Sequence, residues 1–203
     1  MGAIFQSLSR TIIAGVVVLI ILLFVAAGLT GSAVNLAQHA WWLFAMRWLH
    51  ITSGVMWIGL LWYFNFVQTP SMPKIPDEQK PAVSKVIAPT ALFWFRWSAM
   101  ATIVLGLILA LMNGYLVQAL TLQKGFVAIG LGAWLGTIMW FNVWFIIWPN
   151  QKKALGIVQV DATEKAAAAK RAGTASRINT MLSIPMLYFM VAQSHGGLGF
   201  PSP

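Results

Sequence analysis

The stretch TIIAGVVVLIILLFVAAGLT, from Thr11 to Thr30, decides the fold class because no charged side chain interrupts it. A run of about 20 apolar residues is the length that an α-helix needs to cross the hydrocarbon core of a bilayer. Arg10 precedes the run and Ala26-Ala27-Gly28 lies near its end, so a cleavable signal peptide is the alternative. The apolar core of such a peptide spans about 7 to 15 residues, so the longer run predicts a retained transmembrane helix.

The composition of the whole chain agrees with a membrane protein. Of its 203 residues, 59% are hydrophobic and 8% are charged, and the mean hydropathy is +0.78. Soluble domains carry roughly 25% charged residues, which this chain lacks. Cysteine is absent, which excludes disulfides, thiolate metal sites, iron–sulfur clusters and covalently attached c-type haem.

Four further apolar runs follow the first one. The sequence therefore predicts an all-α integral membrane bundle of five transmembrane helices, folded as a single membrane domain over residues 1–203. The predicted spans cover residues 11–30, 41–67, 90–112, 125–148 and 178–195.

Charge in the connecting loops predicts the orientation. Loops 68–89 and 150–177 are basic, whereas 31–40 has no charge and 113–124 has only Lys124. With five spans both basic loops fall on one side, so the positive-inside rule places the N-terminus in the cytoplasm and the C-terminus outside. The net charge of +9 then reflects topology, and we expect no nucleic-acid partner. Within the second basic loop, the alanine-rich stretch 162–172 predicts a short surface helix.

Ionisable groups inside a membrane are costly and mark candidate functional sites. Arg47, His50 and Gly54 follow each other at helical spacing, and His195 falls near the same outer depth in the last span. We expect His50 and His195 to be axial ligands of a haem b iron, with Arg47 beside a propionate and Gly54 leaving room for the ring. The structural alternative is a buried His50 that hydrogen-bonds a neighbouring helix, with His195 an ordinary interfacial residue.

Other polar residues within the spans have a structural interpretation first. Arg96 lies among Trp94, Phe95 and Trp97, where stacking on tryptophan is expected and contact with an anionic substrate or quinone head group is the alternative. Asn142 and Asn179 could bridge helices by hydrogen bonds. Because no carboxylates pair inside the spans, the sequence argues against most ion-coupled transporters, and the missing nucleophile motifs argue against hydrolases.

Several short motifs resemble the membrane domain of bacterial urate hydroxylases, the urate oxidase N-terminal family. They are Arg47-Trp48-Leu49-His50 with Gly54 and Trp57-Ile58-Gly59, Gly136-Thr137-Ile138-Met139 with Asn142-Val143, Pro149-Asn150-Gln151-Lys152, Asn179-Thr180, Pro185-Met186-Leu187, and Ser194-His195. The matches cover most of the chain after Gln38. The His50 helix is also similar to the first haem-binding helix of bacterial haem-dependent protoporphyrinogen oxidases.

The resemblance implies a multi-pass protein of the bacterial inner membrane and a redox function. Typical family members are longer and end in a cytochrome c domain, which a chain without cysteine does not have in that form. The first expectation is a b-type haem redox subunit that passes electrons to a separate cytochrome. The alternatives are a cofactor-free accessory subunit of a larger membrane complex and a urate hydroxylase.

Overall fold

The computed structural model describes residues 2–197, which are helical or connecting segments with no β-strand. The described residues fall into two compact units, divided between Ala45 and Met46. The all-α prediction is confirmed for this part of the chain.

The first unit carries the most apolar helix of the protein. A short helix α1 (Gly2–Phe5) precedes α2 (Leu8–Thr30), which ends at Gly31 with a φ of 65°. Glycine adopts this left-handed backbone without the steric cost of a Cβ, so it closes the helix. No residue of α2 is buried, as expected of a helix whose apolar side chains face lipid or other helices.

Helix α3 (His39–Trp62) begins in the first unit and carries the chain into the second. It continues without a break as a π-helical segment, π1 (Tyr63–Gln68), and then a short α4 (Thr69–Ser71) and a 3₁₀ turn. Pro70 and Pro73 lie where the helix ends, because proline has no N–H to continue the hydrogen-bond ladder.

The next two long helices have the same interrupted form. Helix α5 (Lys80–Ala82) runs through π2 (Val83–Ile87) into α6 (Ala88–Met112). After the short α7 (Leu116–Leu120), α8 (Val127–Phe141) runs through π3 (Asn142–Ile147) into α9 (Trp148–Ala154).

Each π segment ends two residues before a proline, namely Pro70, Pro89 or Pro149. A proline inside a helix clashes with the carbonyl four residues earlier and removes one i→i−4 hydrogen bond. The wider π turn accommodates that lost bond while the helix continues.

The last helix, α10 (Ala162–His195), is longer than the sequence predicts. The expected surface helix 162–172 and the expected span from residue 178 are one continuous helix, with Pro185 inside it. Asp161 caps its start by accepting a hydrogen bond from the Glu164 amide at 2.8 Å. No proline separates the alanine-rich turns from the apolar ones, so the helix propagates through both, across Gly173.

The core of the second unit lies where α3, α6, α8 and α10 meet. Its fully buried large side chains include Trp57, Leu61, Phe95 and Met139. Asn179 and Ser183 of α10 are also fully buried. Both are hydrogen-bonded, as buried polar groups in native proteins are.

Three helical stretches are long and apolar enough to cross a membrane, namely Leu8–Thr30, Lys80–Met112 and Val127–Ala154. They coincide with the first, third and fourth spans predicted from the sequence. The predicted segments 41–67 and 178–195 are helical in the structure, and their crossing of the membrane stays a prediction.

Candidate functional site

A partly enclosed cavity of about 170 Å³ lies at the end of the second unit that carries its basic residues. All three π segments contribute to its wall: Phe64, Asn65 and Gln68 from π1, Ser84 from π2 and Ile147 from π3. Because π turns occur frequently at functional sites, the convergence of three of them on one cavity makes it the first candidate site.

The hydrogen bonds around the cavity leave acceptors available. Asn65 donates from Nδ2 to the Leu61 carbonyl at 2.9 Å and to Ser176 Oγ at 2.8 Å. Its amide oxygen has no partner in those bonds. The Oε1 atom of Gln68 is buried and has no hydrogen-bond partner in the described part of the chain. Leaving such an acceptor unpaired costs roughly 1–3 kcal/mol, and a ligand that donates an N–H would remove that cost.

A cation is also part of the cavity wall. Arg177 of α10 lines the cavity next to Ser176, and no carboxylate is among the described residues that line it. A guanidinium presents N–H donors in a fixed fork suited to an anionic or carbonyl-rich ligand. The cavity therefore offers amide acceptors, a hydroxyl and a cation, with the aromatic rings of Phe64 and Phe95 beside them, 5.8 Å apart at their centroids.

His50 lies toward the other end of the unit and faces α6. Its Nδ1 is 2.8 Å from the backbone oxygen of Thr102. A carbonyl only accepts, so Nδ1 carries the proton and the neutral ring keeps a lone pair on Nε2. This bond joins α3 to α6, as the structural alternative for His50 predicts. It is also the arrangement that orients a metal-ligating histidine.

Two glycines govern how closely α3 and α6 approach around His50. A Cβ built on Gly106 would lie 2.9 Å from Cε1 of His50, so the imidazole occupies the space that a side chain at 106 would take. A Cβ on Gly54 would lie 3.8 Å from Thr102 Cγ2. Gly54 therefore lies in contact with α6, and its role in leaving room for a haem ring stays a prediction.

The remaining residues expected around a haem lie on the surface of the unit. Arg47 is exposed, and its charge acts on Tyr115, whose hydroxyl pKa is raised by burial and lowered to a smaller extent by Arg47. His195 is exposed, with Nδ1 3.1 Å from the Val191 carbonyl of its own helix. Within residues 2–197 no group of three or more His, Cys, Asp or Glu side chains could hold a metal ion.

The other polar residues expected within the spans are engaged between helices. Arg96 stacks on Trp148, with its Cζ 3.3 Å from the ring centroid. Asn142 donates to Asn179 Oδ1 at 2.8 Å, and Asn179 donates to the Met139 carbonyl at 2.9 Å. The two asparagines thus join π3 and α8 to α10.

Sequence reasoning did not single out the residues of the cavity. Asn65 and Gln68 sit at the end of an apolar run, and Ser176 and Arg177 were assigned to a basic loop. The available signal was the proline that follows each π segment, because a proline in a helix that does not stop there indicates a local rearrangement.

One family model matches part of the chain. Residues 115–201 match the family model described as urate oxidase N-terminal. Searches of curated proteins and of solved structures found no match. The matched region contains α7, α8, π3, α9 and α10, and so includes Arg177 of the cavity wall.

Proposed function

We propose that the chain is a membrane-embedded redox domain that binds a urate-class compound in the cavity, because residues 115–201 match the family model described as urate oxidase N-terminal. The observation that carries this proposal is the buried, unpartnered Oε1 of Gln68, a residue that lines the same cavity as Arg177. An oxopurine is planar, offers N–H donors to the amide oxygens and bears carbonyl oxygens or a negative charge for the guanidinium. Electrons from its oxidation would pass to a separate cytochrome.

Urate binding to the purified full chain in lipid nanodiscs tests the proposal, measured by equilibrium dialysis with labelled urate. We expect saturable binding, weakened about tenfold by Arg177→Gln, the loss of one charge-assisted contact of about 1.4 kcal/mol. Gln68→Leu should weaken it similarly.

Arg171→Gln is the matched control, because Arg171 lies on the same helix but pairs with Glu164 at 2.8 Å. Equal affinities of the two arginine variants, or no saturable binding by the unchanged protein, would contradict the proposal.

A b-type haem held by His50 is the second candidate, favoured by the Nδ1 bond to Thr102 that leaves Nε2 available as a ligand atom. His195 as the opposite ligand and Arg47 as a propionate partner remain part of this proposal. One-electron transfer is the chemistry that a haem supplies when bound. His50 lies fourteen residues before Phe64, which places it about 21 Å along the helix from the cavity.

Absorption spectra of protein expressed with ample haem test this candidate. A Soret band that is lost in both His50→Ala and His195→Ala indicates two histidine ligands, and loss in the His50 variant alone indicates one. A folded, colourless protein favours the cofactor-free accessory subunit, whose exposed α2 would then contact a larger complex.

The proposed topology has five spans, a cytoplasmic N-terminus and a C-terminus outside. Because the chain has no cysteine, single cysteines can be introduced at Asn113 and Lys165 and labelled in intact cells with a membrane-impermeant maleimide. We expect labelling at position 113 and protection at 165 until the membrane is opened; the reverse pattern would invert the topology.

A further inference from the structure

Two cations share one tryptophan ring at the basic end of the second unit. Arg96 of α6 stacks on Trp148 at 3.3 Å, and the Lys152 Nζ lies 5.7 Å from the centroid of the same ring. Trp148 and Lys152 are one turn apart on α9. This cluster, Arg96–Trp148–Lys152, is distinct from the cavity.

The cluster has an uncompensated positive charge. The described carboxylates that form ion pairs do so elsewhere: Asp77 with Lys80, and Glu164 with Lys153 and Arg171. Cation–π attraction to one ring does not neutralise two charges that repel each other. An anion bound at the cluster would offset this positive charge.

The guanidinium of Arg96 is arranged to bind such an anion in its plane. One face lies on the indole ring, and its Nη1 atom is buried with no hydrogen-bond partner in the described part of the chain. Stacking fixes the orientation of the planar fork, which matches the geometry of two phosphate oxygens.

The surroundings indicate that the anion is attached to apolar chains. Trp94, Trp97 and Phe145 flank the cluster in sequence and are 53%, 50% and 58% exposed. They belong to two of the stretches long and apolar enough to cross a membrane. Tryptophan is enriched at membrane interfaces, and anionic lipids attract cations on the cytoplasmic side.

From this placement we propose that Arg96, Trp148 and Lys152 bind the phosphate of an anionic phospholipid of the inner leaflet. The acyl chains of that lipid cover the exposed aromatic rings. A free phosphate ion offers the same oxygens but leaves the rings uncovered, so the lipid is the source to which we commit.

Thermal unfolding in detergent tests the site, with phosphatidylglycerol, phosphatidylcholine or inorganic phosphate added. We expect phosphatidylglycerol to raise the Tm by about 3 °C more than phosphatidylcholine. Arg96→Gln and Lys152→Gln should each lose at least half of that difference. Native mass spectrometry should show one retained phosphatidylglycerol on the unchanged protein and less on both variants.

Lys74→Gln is the control, since it removes one charge from the basic end and Lys74 has no described contact with Trp148. If Arg96→Gln does not fold, Lys152→Gln still decides the question, because Lys152 is half-buried at the end of its helix. The proposal is overturned if all three variants respond alike, if phosphatidylcholine works equally well, or if inorganic phosphate alone reproduces the effect.

Discussion

The two ends of the second unit are built on opposite principles. At the charge-poor end, glycines let helices touch and polar groups are paired: Gln193 binds the Gly125 carbonyl at 2.8 Å and the Ile129 amide at 3.1 Å. At the basic end, three π segments replace regular helix and the Gln68 Oε1 atom is left unpaired beside a cavity. Close packing with satisfied hydrogen bonds stabilises the first end, whereas unsatisfied groups at the second are available to a ligand.

The largest expected effect on stability comes from a substitution that disrupts the close packing at the charge-poor end. A Cβ on Gly130 would collide with the backbone oxygen of Ala119, whereas a Cβ on Gly136 of the same helix meets nothing closer than 3.9 Å. We expect Gly130→Ala to lower the free energy of unfolding by about 3 kcal/mol through overpacking. Gly136→Ala should be neutral or stabilising by up to about 1 kcal/mol, because alanine favours helix.

Thermal unfolding of the two purified variants measures this difference. Equal Tm values would mean that α8 shifts to accommodate the added methyl group, and the contrast between the two ends would then be wrong.

An intermediate effect concerns the π segments at the basic end. Pro149→Ala restores a backbone N–H and lets π3 relax toward regular helix, which turns the side chains of the cavity wall. We expect unchanged or higher stability and about tenfold weaker urate binding. Pro185→Ala is the control, because α10 continues through Pro185 as a regular helix; its urate affinity should be that of the unchanged protein. Equilibrium dialysis measures the urate affinity and thermal unfolding measures the stability, so together they distinguish a changed cavity wall from a general loss of folding.

The smallest effect is electrostatic. Hydrogen bonds from Lys153 at 2.7 Å and Arg171 at 2.8 Å lower the pKa of Glu164. A carboxylate with a lowered pKa in the folded state stabilises the protein above its unfolded pKa, and this contribution is lost as the pH falls through the folded value. Glu164→Gln should therefore reduce stability slightly at pH 7, and this difference should vanish as the pH falls through the folded-state pKa, as pH-dependent unfolding would show. A difference that persists at low pH would assign the effect to helix capping instead.

A feature of the fold or of the candidate site can be predicted from the sequence when residues close together in the chain determine it. Long apolar runs predict helices because each run alone satisfies its backbone, and that holds for α2, α6 and α8. The length of α10 was missed because a basic, alanine-rich segment looks like a surface helix when read separately. Arg96 was noticed from its aromatic neighbours, yet Trp148, on which it stacks, lies 52 positions later in the chain.

The cavity was not predicted because it is made by residues distant in sequence. Asn65 and Ser176 are 111 positions apart in the sequence, and a hydrogen bond joins them only once the chain has folded. His50 stays a predicted haem ligand, and its hydrogen-bond partner could not be read from the sequence because a backbone carbonyl has no signature in side-chain sequence. The three prolines after the π segments lie just outside the predicted spans 41–67, 90–112 and 125–148, whereas the helices of the structure continue through them.

Helix α10 is 34 residues long, which makes it a rod of about 51 Å, against a hydrocarbon core of about 30 Å. On the proposed five-span topology, the apolar turns of α10 lie in the bilayer and the turns before Gly173 extend beyond it. Gly173, Ser176 and Arg177 follow these turns on the same helix and line the cavity. A protein that binds the protruding turns and tilts α10 would therefore move that wall, and so change the width of the cavity from outside the membrane.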